Sequence, residues 1–194
     1  MAVAPCLPTV VNIDGAVSVS LFNLTMSHTI RSLAGVINIQ GSSNINLENC
    51  TIEHGGGGGI AMGADISHVN VLRSTVRDVG ADGISMASEL AADVTIEDCV
   101  ITDTGYVMFG QPAGVHLRGN KSIALRHSEV ARGPYSCVLA PGNIMRKLNM
   151  NCIYKTCRAV EKPNMRAIDD HCDRAGVLAG VGTRWLAVPR LGVG

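Results

Sequence analysis

One short pattern recurs along most of this chain and limits what the chain can fold into. The pattern is apolar-x-apolar-x-x-small-x-apolar, and it returns about every 24 to 29 residues. Its clearest copies are Ile45/Leu47/Cys50/Ile52, Val69/Val71/Ser74/Val76, Val94/Ile96/Cys99/Ile101 and Ile123/Leu125/Ser128/Val130, with a looser copy at Val19/Leu21/Leu24/Met26. Alternation with a period of two indicates strands, and strands this short bury a face only when each unit stacks on the next.

A second pattern, Gly-apolar-x-apolar, follows the first in each unit. It occurs at Gly59–Met62, Gly83–Met86 and Gly114–Leu117, with looser versions at Gly35–Ile39 and Cys137–Ala140. Stacking turns each strand into one rung of a continuous parallel sheet, with coils about 4.8 Å apart. The two patterns predict an all-β parallel solenoid of about six coils with three short strands per coil, the sixth being degenerate.

The stacking also predicts which side chains fill the interior. The apolar inward columns are Ile45/Val69/Val94/Ile123, Leu47/Val71/Ile96/Leu125, Ile52/Val76/Ile101/Val130 and Met62/Met86/Leu117. A column of small residues, Cys50/Ser74/Cys99/Ser128, is predicted to point inward where the chain bends. Cys50 and Cys99 are two coils apart, about 9–10 Å, which is beyond the reach of a disulfide, so both are predicted to be buried thiols.

Two runs of the chain carry a family resemblance. Residues Gly41–Ile52 and Asp78–Ile84 resemble the repeats of right-handed parallel β-helix proteins, the pectate-lyase-like group, and the resemblance covers roughly residues 10–155. The handedness of the solenoid is an implication of this resemblance. We expect a β-helix over residues 10–160, an N-terminal extension over 1–9, and a degenerate coil or irregular C-terminal cap over 161–194.

The same resemblance implies a function. The group contains polysaccharide lyases, glycoside hydrolases, epimerases and non-catalytic modules, so we expect carbohydrate binding or processing, with a polysaccharide or glycan as partner. The Asn-Thr-Asp and Gly-His-Gly signatures of polygalacturonase-like hydrolases do not occur in this sequence. The resemblance suggests an extracellular protein, whereas the N-terminus lacks the basic and apolar segments of a signal peptide, so the compartment stays open.

Charge and hydrophobicity argue against two other classes of partner. Lys plus Arg and Asp plus Glu are both 16, so no net positive charge favours nucleic acid or an anionic membrane surface. No apolar run approaches the roughly 18 residues that a membrane span needs. We therefore expect neither nucleic acid nor membrane as a partner.

Two further motifs have ordinary interpretations. Cys152, Cys157, His171 and Cys172 suggest zinc, but their spacing departs from the usual short ligand pairs, so we expect no metal and no cofactor. The run Gly55–Gly59 lacks the Lys and Ser/Thr of a phosphate loop. It predicts a turn between two faces in which glycine supplies positive φ.

Polar residues recur at one edge, the turn before each Gly-apolar strand, where an insertion also lengthens the fourth unit. Long turns of a solenoid commonly form its binding face. The hypothesis is glycosidic cleavage by a carboxylate pair one coil apart, Asp78 and Asp103, assisted by His116. The predicted substrate-binding residues are His54, Asp82, Tyr106, Arg118, Arg132 and Tyr135, with Arg132 holding an anionic group and the two tyrosines stacking on sugar rings.

A non-catalytic interpretation stays open beside this one. Asp78 and Asp103 each precede a glycine by two residues, so both could simply support the turn backbone. The chain is shorter than enzymes of the group usually are, and its solenoid ends lack recognisable caps. The alternative is therefore a solenoid scaffold, an interaction module or part of a larger assembly, with end-to-end association through the uncapped ends.

Overall fold

The computed structural model describes residues 6–88, 91–107, 112–118, 122–133, 136–141, 149–155, 165–168, 179–181 and 184–186, with side chains as far as residue 140. The regular secondary structure in these ranges consists of strands. The described residues include no helix that is long and apolar enough to cross a bilayer.

The chain winds through successive coils that follow the predicted repeat. The strands of the first four coils are β1 (Val11–Asp14), β2 (Val17–Phe22), β3 (Thr25–Thr29); β4 (Gly35–Gln40), β5 (Ser43–Glu48), β6 (Thr51–Gly55); β7 (Gly58–Met62), β8 (Ser67–Leu72), β9 (Thr75–Val79); and β10 (Ile84–Met86), β11 (Ala92–Glu97), β12 (Val100–Thr104). The fifth coil contains β13 (Ala113–His116) and one long strand, β14 (Ile123–Ala131).

Equivalent strands of successive coils pair in parallel and form three faces. Face A contains β1, β4, β7, β10 and β13; face B contains β2, β5, β8 and β11; face C contains β3, β6, β9 and β12. Strand β14 extends both faces B and C, because its first half pairs with β11 and its second half with β12. The predicted parallel solenoid is therefore confirmed, with about five full coils where the sequence predicted about six.

The parallel order continues only in part beyond the fifth coil. Strand β15 (Ser136–Pro141) extends face A, and β16 (Asn149–Lys155) pairs in parallel with β14. Strand β17 (Met165–Ile168) then runs antiparallel to β15, and β18 (Ala179–Val181) pairs antiparallel with β19 (Arg184–Leu186). Strands β17, β18 and β19 lie within residues 161–194, for which the sequence predicted a degenerate coil or an irregular cap.

The interior is built from the predicted apolar columns. Their members are almost completely shielded from solvent, from Ile45 and Leu47 in the second coil to Val130 in the fifth. The register confirms the stacking, because Val69 pairs with Ile45 on one side and with Val94 on the other. Aliphatic residues fill this core in place of large rings, since each layer is only one coil thick.

The small inward column forms a hydrogen-bonded ladder where face B turns into face C. The amide of Cys50 donates to Ser74 Oγ at 3.1 Å, and the amide of Cys99 donates to Ser128 Oγ at the same distance. Neither Cys50 nor Cys99 forms a disulfide, and both are buried thiols, as predicted. The column therefore satisfies backbone groups that the bend would otherwise leave buried and unpaired.

The corners of each coil contain residues in the left-handed conformation. Three columns of non-glycine residues with φ near +50° recur in step with the coils: Ser18/Asn44/His68/Asp93/Ser122, Asn23/Asn49/Arg73/Asp98/His127 and His28/His54/Asp78/Asp103/Arg132. Asn, Asp and His tolerate this conformation better than most residues do. Asp78 and Asp103 therefore lie at corners where the backbone itself favours Asp.

Glycine has a different role at the turn from face C to face A. The run Gly55–Gly59 has no residue with positive φ, so the predicted reason for this run is wrong. A Cβ on Gly56 would lie 2.5 Å from the backbone of Ile30 and Arg31, which a real side chain never tolerates. Glycine is needed there because neighbouring turns approach one another closely.

Candidate functional site

The third left-handed column forms a line of exposed polar side chains along the edge between faces C and A. We call His28, His54, Asp78, Asp103 and Arg132 the corner ladder, because each residue lies one coil above the previous one. The fourth residue of β3, β6, β9 and β12 supplies the first four rungs, and Arg132 directly follows the last residue of β14. Four of the five were predicted from the sequence, and the structure brings those four together in consecutive coils.

The upper end of the corner ladder is an ion pair. Arg132 donates two hydrogen bonds to the carboxylate of Asp103, from Nε at 2.7 Å and from Nη2 at 2.5 Å. This contact lowers the pKa of Asp103 and raises the pKa of Arg132. Asp103 is therefore ionised at neutral pH and can serve as a base or ligand, whereas a general acid needs a raised pKa. Arg132 is engaged by the acid that was predicted to act beside it.

The lower part of the corner ladder has weaker contacts. Nδ1 of His54 lies 4.0 Å from a carboxylate oxygen of Asp78, and the rings of His28 and His54 are 5.3 Å apart between centroids. About half of the His54 side chain and 44% of the Asp78 side chain are exposed. Both groups therefore remain accessible to a ligand, unlike the engaged carboxylate of Asp103.

Tyr106 begins the insertion of the fourth unit and folds back over the coils below. Its hydroxyl donates to the carbonyl of Asp78 at 2.8 Å and lies 3.4 Å from the carbonyl of Gly55. Burial, and secondarily the negative charge of Asp78, raises the pKa of Tyr106, so the hydroxyl keeps its proton. The residue is still 50% exposed, so a ring fixed at its tip presents surface to solvent.

Three other predicted residues form a separate group on the outer surface of face A. One carboxylate oxygen of Asp82 accepts the amide of Ala113 at 2.7 Å, and the other lies 3.3 Å from Nδ1 of His116. Nε of Arg118 donates to Nε2 of His116 at 3.3 Å. We call Asp82, His116 and Arg118 the face A triad. The sequence predicted His116 as a catalytic residue and Asp82 and Arg118 as substrate-binding residues, without predicting their contacts.

The face A triad differs from the other histidine–carboxylate contacts by its burial. The His116 side chain is 14% exposed, compared with 64% for His68, which lies 3.5 Å from Asp93, and 53% for His127, which lies 3.5 Å from Glu97. A shielded contact is less screened by water than an exposed one. His116 is therefore held in one orientation more firmly than these surface histidines.

The sequence analysis missed one rung of the corner ladder, and one residue that it did predict lies outside the described part of the chain. His28 precedes His54 by one repeat, so the period alone would have placed it in the column. Tyr135, predicted to stack on a sugar, lies outside the described residues, and so does most of the insertion after Val107. The catalytic and binding roles of all these residues stay predictions.

The described residues contain no group of three or more His, Cys, Asp or Glu side chains that is arranged to hold a metal ion. Four residues were considered as zinc ligands in the sequence. Cys152 lies in β16, for which only the backbone is described. Cys157, His171 and Cys172 lie outside the described ranges.

Comparison with known proteins gave one family. A family model described as a right handed beta helix region matches residues 11–143, which is more than half of the chain. Searches of curated proteins and of solved structures found no significant match. The matched range covers the five full coils, so the comparison agrees with the handedness that the sequence resemblance implied.

Proposed function

The chain belongs to the right-handed β-helix family, and on this premise we propose that it binds a polysaccharide at the corner ladder and Tyr106. The fold supplies a rigid solenoid scaffold whose outer surface repeats with each coil. Rungs about 4.8 Å apart present polar side chains at a regular spacing along the edge. A repetitive ligand suits such a surface better than a small molecule does.

The observation that carries this proposal is the anchored ring of Tyr106. Its hydroxyl bonds to the backbone of the coil below, while half of the residue stays exposed. A ring that is already fixed loses little conformational entropy when a ligand stacks on it. Aromatic residues with a satisfied polar tip and an exposed face are common in binding sites. His54 and Asp78 lie within the same edge and supply hydrogen-bonding groups to sugar hydroxyls.

Glycosidic cleavage is the finer form of this proposal. It uses Asp78 and Asp103 as the carboxylate pair, and the ligand must then displace Arg132 from Asp103. Asp78→Asn and Asp103→Asn would each reduce turnover by about 10²-fold or more while leaving binding measurable. Unchanged turnover in both variants would restrict the edge to binding.

The binding proposal is tested by titration calorimetry with ligands identified on a glycan array. Tyr106→Ala should weaken binding at least tenfold, equivalent to about 1.4 kcal/mol. Phe22→Ala is the matched control, because Phe22 is an aromatic residue that is 61% exposed on β2. A folded wild-type protein that binds no array glycan, or equal weakening by both variants, would contradict the proposal.

A second candidate is a structural scaffold that associates through its first coil. Val17, Phe22 and Leu24 on that coil are 70%, 61% and 43% exposed, and they lie beside the outer edges of β2 and β3. Unpaired strand edges with apolar side chains are templates for further strands. Sedimentation of the wild type and of Val17→Lys tests this candidate: association that the lysine abolishes supports it, and a monomer at all concentrations refutes it.

A further inference from the structure

We propose that the face A triad hydrolyses carboxylic esters, with acyl groups on a glycan as its substrate class. The glycan part rests on the proposed function, whereas the ester chemistry does not. His116 is the general base, Asp82 orients it, and Arg118 stabilises the negative charge that develops on the carbonyl oxygen. The nucleophile is water.

The hydrogen bonds of His116 determine which ring nitrogen carries the proton. Arg118 can only donate, so Nε2 of His116 must accept, and the proton of a neutral ring lies on Nδ1. Nδ1 faces the carboxylate of Asp82, which accepts that proton in a hydrogen bond. Asp82 is itself fixed by the amide of Ala113. The lone pair of Nε2 is therefore directed away from Asp82, and it can activate water once Arg118, which donates to it in this structure, turns to the substrate.

Small residues lie below the triad on the outer surface of face A. On the outer surface of face A, Ser85 lies one coil below His116, and Ala61 lies one coil below Ser85. Two residues further along the same coils, Gly63 and Ala87 occupy the positions that correspond to Arg118. These four residues form a floor of small side chains two coils high, about 10 Å. All four are at least partly exposed. Among the described residues of these two columns, none carries a bulky side chain that an acyl group would have to displace to reach the edge of the His116 ring.

The reaction balances with water as the co-reactant. When the ester binds, the guanidinium of Arg118 moves from Nε2 to the carbonyl oxygen, which frees the lone pair of Nε2. Nε2 of His116 then takes a proton from water while the water oxygen attacks the ester carbonyl carbon, forming a tetrahedral oxyanion that Arg118 stabilises. When the intermediate collapses, the bond to the alcohol oxygen breaks and the imidazolium returns its proton to that oxygen. The products are a carboxylic acid and a sugar hydroxyl.

The same group of residues suits ester hydrolysis better than glycosidic cleavage. Cleavage of a glycosidic bond needs two carboxyl groups on opposite sides of the bond. The face A triad contains one, and both oxygens of Asp82 are already engaged by Ala113 and His116. A histidine base with an adjacent cation acts on an acyl carbon without a second carboxylate.

The test measures hydrolysis of 4-nitrophenyl acetate and release of acetate from acetylated oligosaccharides. His116→Gln should reduce both rates at least 100-fold, and Arg118→Gln should reduce them at least tenfold. The matched controls are His68→Gln and His127→Gln, since these histidines also face a carboxylate one coil away but are exposed. Both controls should hydrolyse at the wild-type rate.

Separate measurement of kcat and KM distinguishes a positioning role of Asp82 from a merely structural one. Asp82→Asn should lower kcat for 4-nitrophenyl acetate at least tenfold and leave KM within about twofold, because Asp82 orients the His116 ring through Nδ1 and does not touch the substrate. A merely structural role would lower the stability of the fold and leave kcat of the folded protein unchanged.

Each outcome decides between the proposals. A wild-type rate equal to that of His116→Gln, or a kcat that Asp82→Asn does not lower, overturns the ester proposal. If His116→Gln fails to fold, the rate of Arg118→Gln decides instead, because Arg118 is an exposed residue. Hydrolysis of 4-nitrophenyl acetate without glycan binding refutes the polysaccharide proposal alone, and glycan binding without hydrolysis refutes the ester proposal alone.

Discussion

Replacing Gly83 by alanine should open the solenoid between two coils. A Cβ at this position would lie 2.5 Å from the carbonyl oxygen of Gly114 and 2.6 Å from Cγ2 of Ile101. Ordinary carbon contacts need about 3.5–4.0 Å, so the coils must separate locally by about 1 Å. The carbonyl of Gly114 is backbone, so a change of side-chain rotamer cannot relieve this contact.

The expected cost follows from what this separation breaks. The amide of Gly83 donates to the carbonyl of Ala113 at 3.0 Å, and the carbonyl of Gly83 accepts from Ile60 at 2.9 Å. Weakening these bonds costs about 1 kcal/mol each, and overpacking adds about 1–3 kcal/mol. We expect a loss of about 3–5 kcal/mol in the free energy of unfolding, or about 6–20 °C in Tm.

Thermal melts followed by circular dichroism test this reasoning against two comparison variants. Gly63→Ala should melt within about 2 °C of wild type, because its nearest atoms, on Gln40, are 3.5 Å away. Gly83→Ala combined with Ile101→Val should recover little, since the contact with Gly114 remains. A Gly83→Ala protein as stable as wild type, or fully rescued by Ile101→Val, would refute the argument from the backbone contact.

Three other predictions follow from the core, the thiols and the corner ladder. Val71→Asp should abolish the cooperative melt, because it places an unpaired charge in a fully buried column; a native circular dichroism spectrum would contradict the inward assignment. Cys50 and Cys99 should react with a thiol reagent only after denaturant is added, because both are 1% exposed, and rapid labelling of the native protein would contradict that burial. The Asp103–Arg132 pair should contribute at most about 1 kcal/mol to the free energy of unfolding. This contribution is fully present above the unfolded pKa of Asp103 and is lost as pH falls through its lowered folded pKa. A double-mutant cycle that gives the same coupling energy at pH 7 and at pH 3 would contradict this.

The fold was predictable because the repeat encodes it directly. A spacing of about 25 residues with three alternating segments leaves few alternatives to a parallel solenoid, and the columns from Ile45 and Leu47 upward follow from the spacing alone. The reason for the run Gly55–Gly59 was not predictable, because it depends on how closely neighbouring turns approach. Close contact between backbones leaves no periodic signal in a sequence.

The candidate site was predictable as a set of residues but not as a set of contacts. The repeat placed Asp103 and Arg132 in one column, yet only the structure shows that they bond to each other. Asp82 and His116 lie 34 residues apart, and their contact depends on how a turn aims one side chain across the next coil. The spacing of the repeat shows to which coil a residue belongs, whereas only the structure shows in which direction a long side chain points.

The stacked glycines also define which coils can be copied. Gly59, Gly83 and Gly114 occupy equivalent buried positions in the third, fourth and fifth coils. In the same register, the second coil has Val36 at this position, and Cys137 lies above Gly114. If the third or the fourth coil were duplicated, the inserted coil would have glycine at this position, and so would the coils directly above and below it. The inserted coil would therefore stack without steric conflict at this position. A duplicated second coil would instead introduce the side chain of Val36 at a glycine level. Growth of this solenoid by gene duplication is therefore easiest in its middle, where successive coils carry glycine at this position.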